Sequence, residues 1–417
     1  MIQKPRGTID ILPDKAAIWL EVENRIRKIA KRYGFGEIRL PTFEVTELYN
    51  RGVGDTSDVV QKEMYTFTDN DNRSISLRPE GTAGVVRSII ENGLCSEAMP
   101  LSLYYIISCF RYEKPQAGRS REFFQFGVEM FGADSPTADA DVIMLASDIF
   151  DEFGLNVRLE INSIGCPECR PKYHAALKEY FASNIDDLCD TCKGRLEKNP
   201  LRILDCKSPI CSAIAKNAPH TIDYLCDDCK NHMEGLKELL TKAGREFTVN
   251  SRIVRGLDYY RKTVFEFISE DIGAQSTVCG GGRYDGLVQS LGGPALSGIG
   301  FGMGLTRLMM VLEAQNKLPA VSDSIDIYIA SLGQSAVSEG FRLSSRLRKA
   351  GFRAQCDLVG RSLKAQMKYA DKKSARFVLI LGDSEIENRK CMLKNMQTSE
   401  QNEVSLDDIQ SIINHIK

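Results

Sequence analysis

The chain has 417 residues, with 54 Lys+Arg against 56 Asp+Glu for a net charge of −2, and 43% of its residues are apolar. That is an ordinary globular composition, and no apolar run approaches the about 18–20 residues that a membrane span needs. The start, Met1-Ile2-Gln3-Lys4-Pro5-Arg6, lacks the apolar stretch of a secretory signal, so a cytoplasmic protein of two or three domains is expected.

In chain order, Ala17–Tyr33 reads as an amphipathic helix with Ile18, Val22, Ile26, Ile29 and Ala30 on one face. Arg78-Pro79-Glu80-Gly81-Thr82 is a polar turn, ambiguous by itself. Leu103–Phe110 is a strand-like apolar run ending at Arg111, and a polar loop, Tyr112–Ser120, follows. Beyond it residues alternate with period two. Glu122, Phe124, Phe126, Val128 and Met130 share one face; Arg121, Phe123, Gln125, Gly127 and Glu129 share the other. The first face is core. The second is either a solvated strand face or, with Arg119 and Arg121 beside a ring, a site for an anion attached to a flat base.

From about Gly165 to Gly244 the chain turns Cys- and Lys-rich, and strand-like, Gly-rich sequence resumes from Phe247 to Leu312. Strands interrupted and later resumed predict an insertion within one domain. The resumed part holds Arg255-Gly256-Leu257-Asp258-Tyr259-Tyr260 and Gly280-Gly281-Gly282-Arg283-Tyr284-Asp285-Gly286, both weak signals alone. In Gly298-Ile299-Gly300-Phe301-Gly302-Met303-Gly304, a strand would place Ile299, Phe301 and Met303 on one face and four glycines on the other. That bare face is expected either to pack or to let a planar ligand lie on the backbone, with Arg307 covering it.

Asn316–Ser324 reads as a linker. After it, strands at Ile325–Ala330, Arg353–Asp357 and Phe377–Leu381 alternate with helices at Ser335–Ala350 and Ser362–Lys373, which predicts a small α/β domain with a largely parallel sheet. From Ile325 on there are 15 Lys+Arg against 11 Asp+Glu, or +4, leaving −6 for the first 324 residues. Lys364, Lys368 and Lys372 share a helix face, which suits either solvent or a polyanion.

Eight of the 13 cysteines form four pairs: Cys166 with Cys169, Cys189 with Cys192, Cys206 with Cys211, and Cys226 with Cys229. Two-residue spacing, found in three of the pairs (four residues separate Cys206 from Cys211), lets both thiolates reach one tetrahedral ion, so one or two structural zinc ions are expected on these eight ligands; reduced, metal-free cysteines packed as small apolar residues are the alternative.

Together the segments resemble the class II aminoacyl-tRNA synthetases, and among them the histidyl-tRNA synthetase family, over essentially the whole chain. The class pattern lies in the helix and strand leading to Pro41, in Phe110-Arg111-Tyr112-Glu113, and in the glycine strand followed by Arg307; the histidine-specific signatures are Arg255–Tyr260 and Gly281–Gly286. The resemblance implies an α+β fold: an antiparallel-sheet catalytic domain flanked by helices (1–320), a helical Cys-rich insertion within it (165–245) reaching toward the tRNA acceptor arm, and a C-terminal α/β anticodon-binding domain (325–417). It implies a homodimer, with histidine, ATP and histidine tRNA as partners and Mg accompanying ATP. The implied reaction joins histidine to ATP as histidyl-adenylate, releases pyrophosphate, and passes histidine to the terminal ribose of the tRNA.

By the family's pattern Arg111, Arg255 and Gln125 are catalytic, with Arg111 on the α-phosphate and Arg255 opposite it. Arg111, Glu113, Arg119, Phe123 and Arg307 bind ATP, Glu113 at the adenine amino group and Phe123 and Arg307 on either side of the ring. Glu80 and Thr82 take the α-ammonium group, Gln125 the carboxylate, and Glu129, Tyr259, Tyr260 and Tyr284 with Arg255 complete the histidine pocket. A regulatory paralogue that binds histidine without catalysis is the rival reading; such proteins degrade the phosphate-binding arginines and lack the C-terminal domain, whereas this chain has Arg111, Arg255 and Arg307.

Overall fold

The structure is a computed structural model. It describes every residue except Asp55, Thr56, Asn199, Asp205, Lys207, Val254, Arg255, Ser322, Asp323 and Lys417, and for Lys198, Arg202, Ala274 and Gln275 the backbone alone. Contacts divide the chain into two units, Met1–Pro319 and Ala320–Lys417.

The first unit opens on a helix, Pro13–Arg32, one turn earlier than periodicity alone suggests. Pro13 at its first position and Asp14 in the first turn start it, and Lys31 and Arg32 close it against the helix dipole. Its strands are β1 (Gly36–Glu37), β2 (Phe43–Val45), β3 (Thr66–Thr68), β4 (Ser74–Leu77), β5 (Leu101–Phe110), β6 (Glu122–Phe131), β7 (Arg158–Ser163), β8 (Thr248–Val249), β9 (Arg261–Ile268), β10 (Thr277–Arg283) and β11 (Gly298–Gly304). Eight of them form one sheet in the order β1-β5-β6-β11-β10-β9-β7-β8, antiparallel throughout its centre. The other three, β2-β4-β3, make a small separate sheet.

The period-two pattern of β6 is resolved by two cores. Phe126, Val128 and Met130 bury against the helices Pro13–Arg32, Pro136–Glu152 and Asp227–Lys242. The opposite face meets the helix Thr82–Glu91 through Tyr105, Ile107, Val85, Val86 and Ile89. That second face carries the site.

Between β7 and β8 the chain forms helices at Arg170–Ala182, Asp190–Lys198, Leu201–Leu204, Pro209–Ala215 and Asp227–Lys242. The first four gather a core of their own, with Tyr173, Leu177, Phe181, Leu188, Leu196 and Ile203 around buried Cys192 and Cys211. The last sends Met233, Leu236 and Leu240 into the main core.

The second unit holds β12 (Ile327–Ser331), β13 (Ala354–Cys356), β14 (Phe377–Leu381), β15 (Lys390–Asn395) and β16 (Gln401–Ser405), in the order β13-β12-β14-β15-β16. The expectation of a largely parallel sheet is corrected here. β13, β12 and β14 are parallel, but β14, β15 and β16 run antiparallel. Only Gly382, the six-residue helix Asp383–Asn388 and the left-handed Arg389 separate β14 from β15, too little chain for a parallel crossover.

Candidate active site

A cavity of about 550 Å³ opens on the second face of the main sheet. Arg111, Glu113, Arg119, Phe123 and Arg307, the residues expected to handle ATP, all line it, as does Gln125, expected at the histidine carboxylate. Arg111 follows β5, where its guanidinium donates to the Pro79 carbonyl at 3.0 Å and lies 5.3 Å from the centre of the Phe123 ring. Glu113 and Arg119 pair at 3.1 Å. Arg307, in the first turn of the helix Leu305–Ala314, donates to the carbonyls of Gly118 at 3.0 Å and Thr277 at 2.7 Å, which ties the polar loop to β10. Burial, with Arg119 alongside, pulls the Arg307 guanidinium below its ordinary value. Crowded guanidinium groups facing a cavity make a site for an anion.

Beside this cavity the expected histidine residues form a sealed polar cluster. Glu129 is 1% exposed and accepts hydrogen bonds from Thr82 Oγ1 at 2.7 Å, Tyr105 OH at 3.2 Å and Tyr284 OH at 2.5 Å. Burial pushes its carboxyl up to about 8. Glu80 accepts from the Thr82 amide at 2.7 Å and the Ala83 amide at 2.9 Å, at the open N-terminus of the helix Thr82–Glu91. The rings of Tyr259 and Tyr260 lie 4.7 Å apart, and Tyr259 meets Tyr284 edge-on at 5.7 Å. Burial pushes the hydroxyls of Tyr105, Tyr259 and Tyr284 well above their ordinary value, so all three remain hydrogen-bond donors. Gln125, accepting from Cys109 Sγ at 3.8 Å, lies between this cluster and the cavity. Arg255 lies outside the described residues.

The glycine strand combines the two expected alternatives. Gly302 and Gly304 do line the cavity, but much of the bare face is filled by the protein itself. A Cβ on Gly300 would stand 2.1 Å from Glu129 Oε2, one on Gly302 2.4 Å from Gln125 Nε2, and one on Gly298 2.3 Å from the Tyr284 ring. The glycines make room for side chains that reach across from β6 and β10, because the opposed register pairs Glu129 with Gly300.

Sequence reasoning missed Tyr105, which read as one more apolar strand residue. Its ring fills the space beside Gly81 and Gly127, where a Cβ would come within 2.4 and 2.3 Å of it. It missed as well Glu160 and Glu266, partners in register on β7 and β9 that both line the cavity, and Asn250, which donates to Glu160 at 2.6 Å. Behind the pocket Arg283, fully buried, donates to Asp139 and to the carbonyls of Ala133 and Ser135 and pairs with Asp285, while His232 pairs with Asp139 at 2.7 Å.

The eight paired cysteines gather into two groups of four: Cys166, Cys169, Cys226 and Cys229, and Cys189, Cys192, Cys206 and Cys211. In each group the sulfur atoms lie within 4.8 Å of one another, and all eight thiols are free. In the second unit Lys364, Lys368 and Lys372 are exposed together on the helix Leu363–Lys372, while Arg361 is held by Asp357 and Arg376 by Asp326.

An antiparallel sheet bearing an arginine-lined cavity beside a sealed pocket of carboxylates and hydroxyls is the architecture of a class II aminoacyl-tRNA synthetase. The family model for histidyl-tRNA synthetase matches residues 7–168 and 210–308, and that for an anticodon binding domain matches 326–416. The histidine–tRNA ligase of Acetivibrio thermocellus is 55% identical over 410 residues, 98% of each chain, and that of Clostridioides difficile is 52% identical over 408 residues, 97% of each. Apo histidyl-tRNA synthetase from S. aureus shares the fold with a TM-score of 0.85 at 38% identity, covering both chains fully. The chain belongs to the histidyl-tRNA synthetase family.

Proposed function

We propose that this chain is a histidine–tRNA ligase that makes histidyl-adenylate from histidine and ATP and transfers histidine to the 3′ end of histidine tRNA. The observation that carries the reading is Glu129, a buried carboxyl ringed by three hydroxyl donors on the same strand as Phe123 and Gln125 of the arginine-lined cavity. An imidazole has an N–H at one edge and a lone pair at the other, so its recognition needs an acceptor and a hydroxyl together. Glu129 accepts the ring N–H, and Tyr259, Tyr260 and Tyr284 shape the rest of the pocket. Such a site rejects apolar analogues by about 10⁴-fold or more, because they would leave its polar groups unpaired. Glu80 keeps lone pairs beyond the two amides it already serves, and with Thr82 takes the α-ammonium group.

Activation brings a carboxylate onto an α-phosphate, two anions that repel. Gln125 holds the histidine carboxylate, and Arg111 with Arg255 draws charge from the phosphorus as it is attacked. Phe123 and Arg307 enclose the adenine, Glu113 accepts from its amino group, and Arg119 orients Glu113. Glu160 and Glu266 are the carboxylates proposed for the Mg²⁺ that accompanies ATP, hard oxygen donors suited to that ion. The exposed lysine face of the second unit is assigned to tRNA phosphates. A dimeric, cytoplasmic protein is part of the proposal; no described helix is long and apolar enough to cross a membrane.

The two cysteine groups are proposed to hold one Zn²⁺ each, as structural centres of the 165–245 insertion. Tetrahedral Zn–S bonds of about 2.3 Å set sulfur atoms about 3.8 Å apart. The recorded separations fit: 3.7 Å for Cys166–Cys169, 3.8 Å for Cys166–Cys226 and 3.9 Å for Cys189–Cys206.

Amino-acid-dependent ATP–pyrophosphate exchange, run with each of the twenty amino acids, tests the function. Exchange with histidine alone is expected, and Arg111→Gln should lower its rate about 10²–10³-fold. Histidine binding by calorimetry without any exchange would overturn the reading in favour of a regulatory paralogue.

A further inference from the structure

The two cysteine groups differ in what surrounds them. Cys189, Cys192, Cys206 and Cys211 sit with the insertion's own core of Tyr173, Leu177 and Phe181. Cys166, Cys169, Cys226 and Cys229 sit at its neck, where the chain leaves β7 and where it returns in the helix Asp227–Lys242. There the Cys226 amide donates to Cys169 Sγ at 3.1 Å, and Gly165, at φ +68°, passes so close that a Cβ would stand 2.8 Å from that of Cys169.

Two neighbours of these neck cysteines hold the segment that forms the histidine pocket. Arg170, next to Cys169, donates from its guanidinium to the Tyr260 carbonyl. Asp228, between Cys226 and Cys229, pairs with Lys262 at 2.8 Å. Lys262 is itself left-handed, at φ 51°, and its amide and carbonyl bond to Gly165 and Ile164 at 2.9 and 2.8 Å. Tyr260 is therefore held at its own carbonyl by a residue of the outgoing chain, and two residues further on, at Lys262, by one of the returning chain. From Tyr260 packing runs through Tyr259 to Tyr284, whose hydroxyl bonds Glu129.

We infer that the neck centre is a positioning element for histidine: a metal on Cys166, Cys169, Cys226 and Cys229 fixes Arg170 and Asp228, and through them the Tyr259–Tyr260 wall of the pocket. The inference rests on the metal reading above and goes beyond it, because it gives the two centres different tasks. Outer contacts of a metal centre typically change affinity or activity by about 10–100-fold when removed. Here that change falls mainly on histidine, since the neck contacts reach the chain at Tyr260 and Lys262, whereas the ATP cavity meets the segment before them only as far as Gly256.

The test uses the full chain, purified without chelator, with metal content measured beside histidine and ATP titrations of pyrophosphate exchange. The unaltered chain should carry about two zinc ions on its two four-thiolate groups. Replacing Cys226 and Cys229 by Ser should leave about one zinc and raise the histidine KM about tenfold or more, with the ATP KM little changed. Replacing Cys206 and Cys211 by Ser should lower zinc equally and leave the ratio of the two KM values where it was. Arg170→Gln keeps all eight thiols, so it decides the matter even if the neck variant does not fold: both metals stay and the histidine KM rises. Cobalt(II) in place of zinc gives an activity-independent count through its thiolate charge-transfer absorption, halved in either double variant. A chain without metal overturns the metal reading and this inference with it. A neck variant or Arg170→Gln variant that keeps its histidine KM, with zinc counted as expected, overturns the inference alone.

Discussion

Glu129 shows what one sealed carboxyl does to a protein that must bind a polar ring. In the unfolded chain it titrates at an ordinary carboxylate value, 4.5, and in the fold burial carries it to about 8. Between those values the folded state binds the extra proton, so this residue's contribution to stability falls as pH rises from about 4.5 toward 8. A Glu129→Gln variant has no such proton. Its melting temperature should exceed that of the unaltered chain at pH 8.5 and converge with it near pH 5, while histidine-dependent exchange is lost at both. A gap that stays constant with pH would show that Glu129 is ionised in the empty pocket. The residue itself was legible in the alternation of β6, which put Gln125 and Glu129 on one face. Tyr105 was not, because its partners Gly81 and Gly127 are 24 and 22 residues away and nothing in its own strand marks it. The aim of Arg111 was legible only through the family's motif.

Elements here are shaped by what must pass between them. Four of the seven residues of β11 are glycine because Glu129, Gln125 and Tyr284 occupy the side where its Cβ atoms would be. Gly300→Ala would bring a methyl group within 2.2 Å of the Val128 carbonyl as well as 2.1 Å of Glu129, and a paired strand cannot yield. Urea unfolding should show a loss of about 1–3 kcal/mol, typical of overpacking, with histidine activation falling alongside. The helix Pro136–Glu152 has a comparable role at the back of β10. Asp139 on that helix receives both Arg283 and His232, none of them more than 7% exposed. Asp139→Asn leaves a buried guanidinium short of countercharge and should cost about 3–5 kcal/mol in the same measurement. Long apolar elements such as β14 were read from the sequence to the residue. The β15–β16 hairpin was not, because it buries only Cys391, Leu393 and Val404 among mostly polar neighbours, too few apolar positions to mark a strand in the sequence.

At the scale of the whole molecule the division at Pro319 separates two kinds of work. Every residue assigned to histidine or ATP lies in the first unit, and the lysine face lies in the second. A chain ending at Pro319 should therefore keep histidine-dependent pyrophosphate exchange and lose charging of histidine tRNA; loss of both, in a fragment with an unchanged melting profile, would place the second unit in the activation step. The insertion was legible as a change of composition, whereas the grouping of its cysteines was not, since the first pair joins the last and skips the two between. That nesting has a consequence for how the protein is made. Ser163 and Thr263 pair across β7 and β9 but are 100 residues apart in the sequence. Joining the neck cysteines shortens the span to roughly 37 residues and lowers the entropy of closing it by about 1 kcal/mol. All eight thiols leave the ribosome before β9 does, so under the proposed zinc binding a nascent chain that captured the ions early would present β7 to its neighbour already tied, with the register of the catalytic sheet prepared before its second half is synthesised.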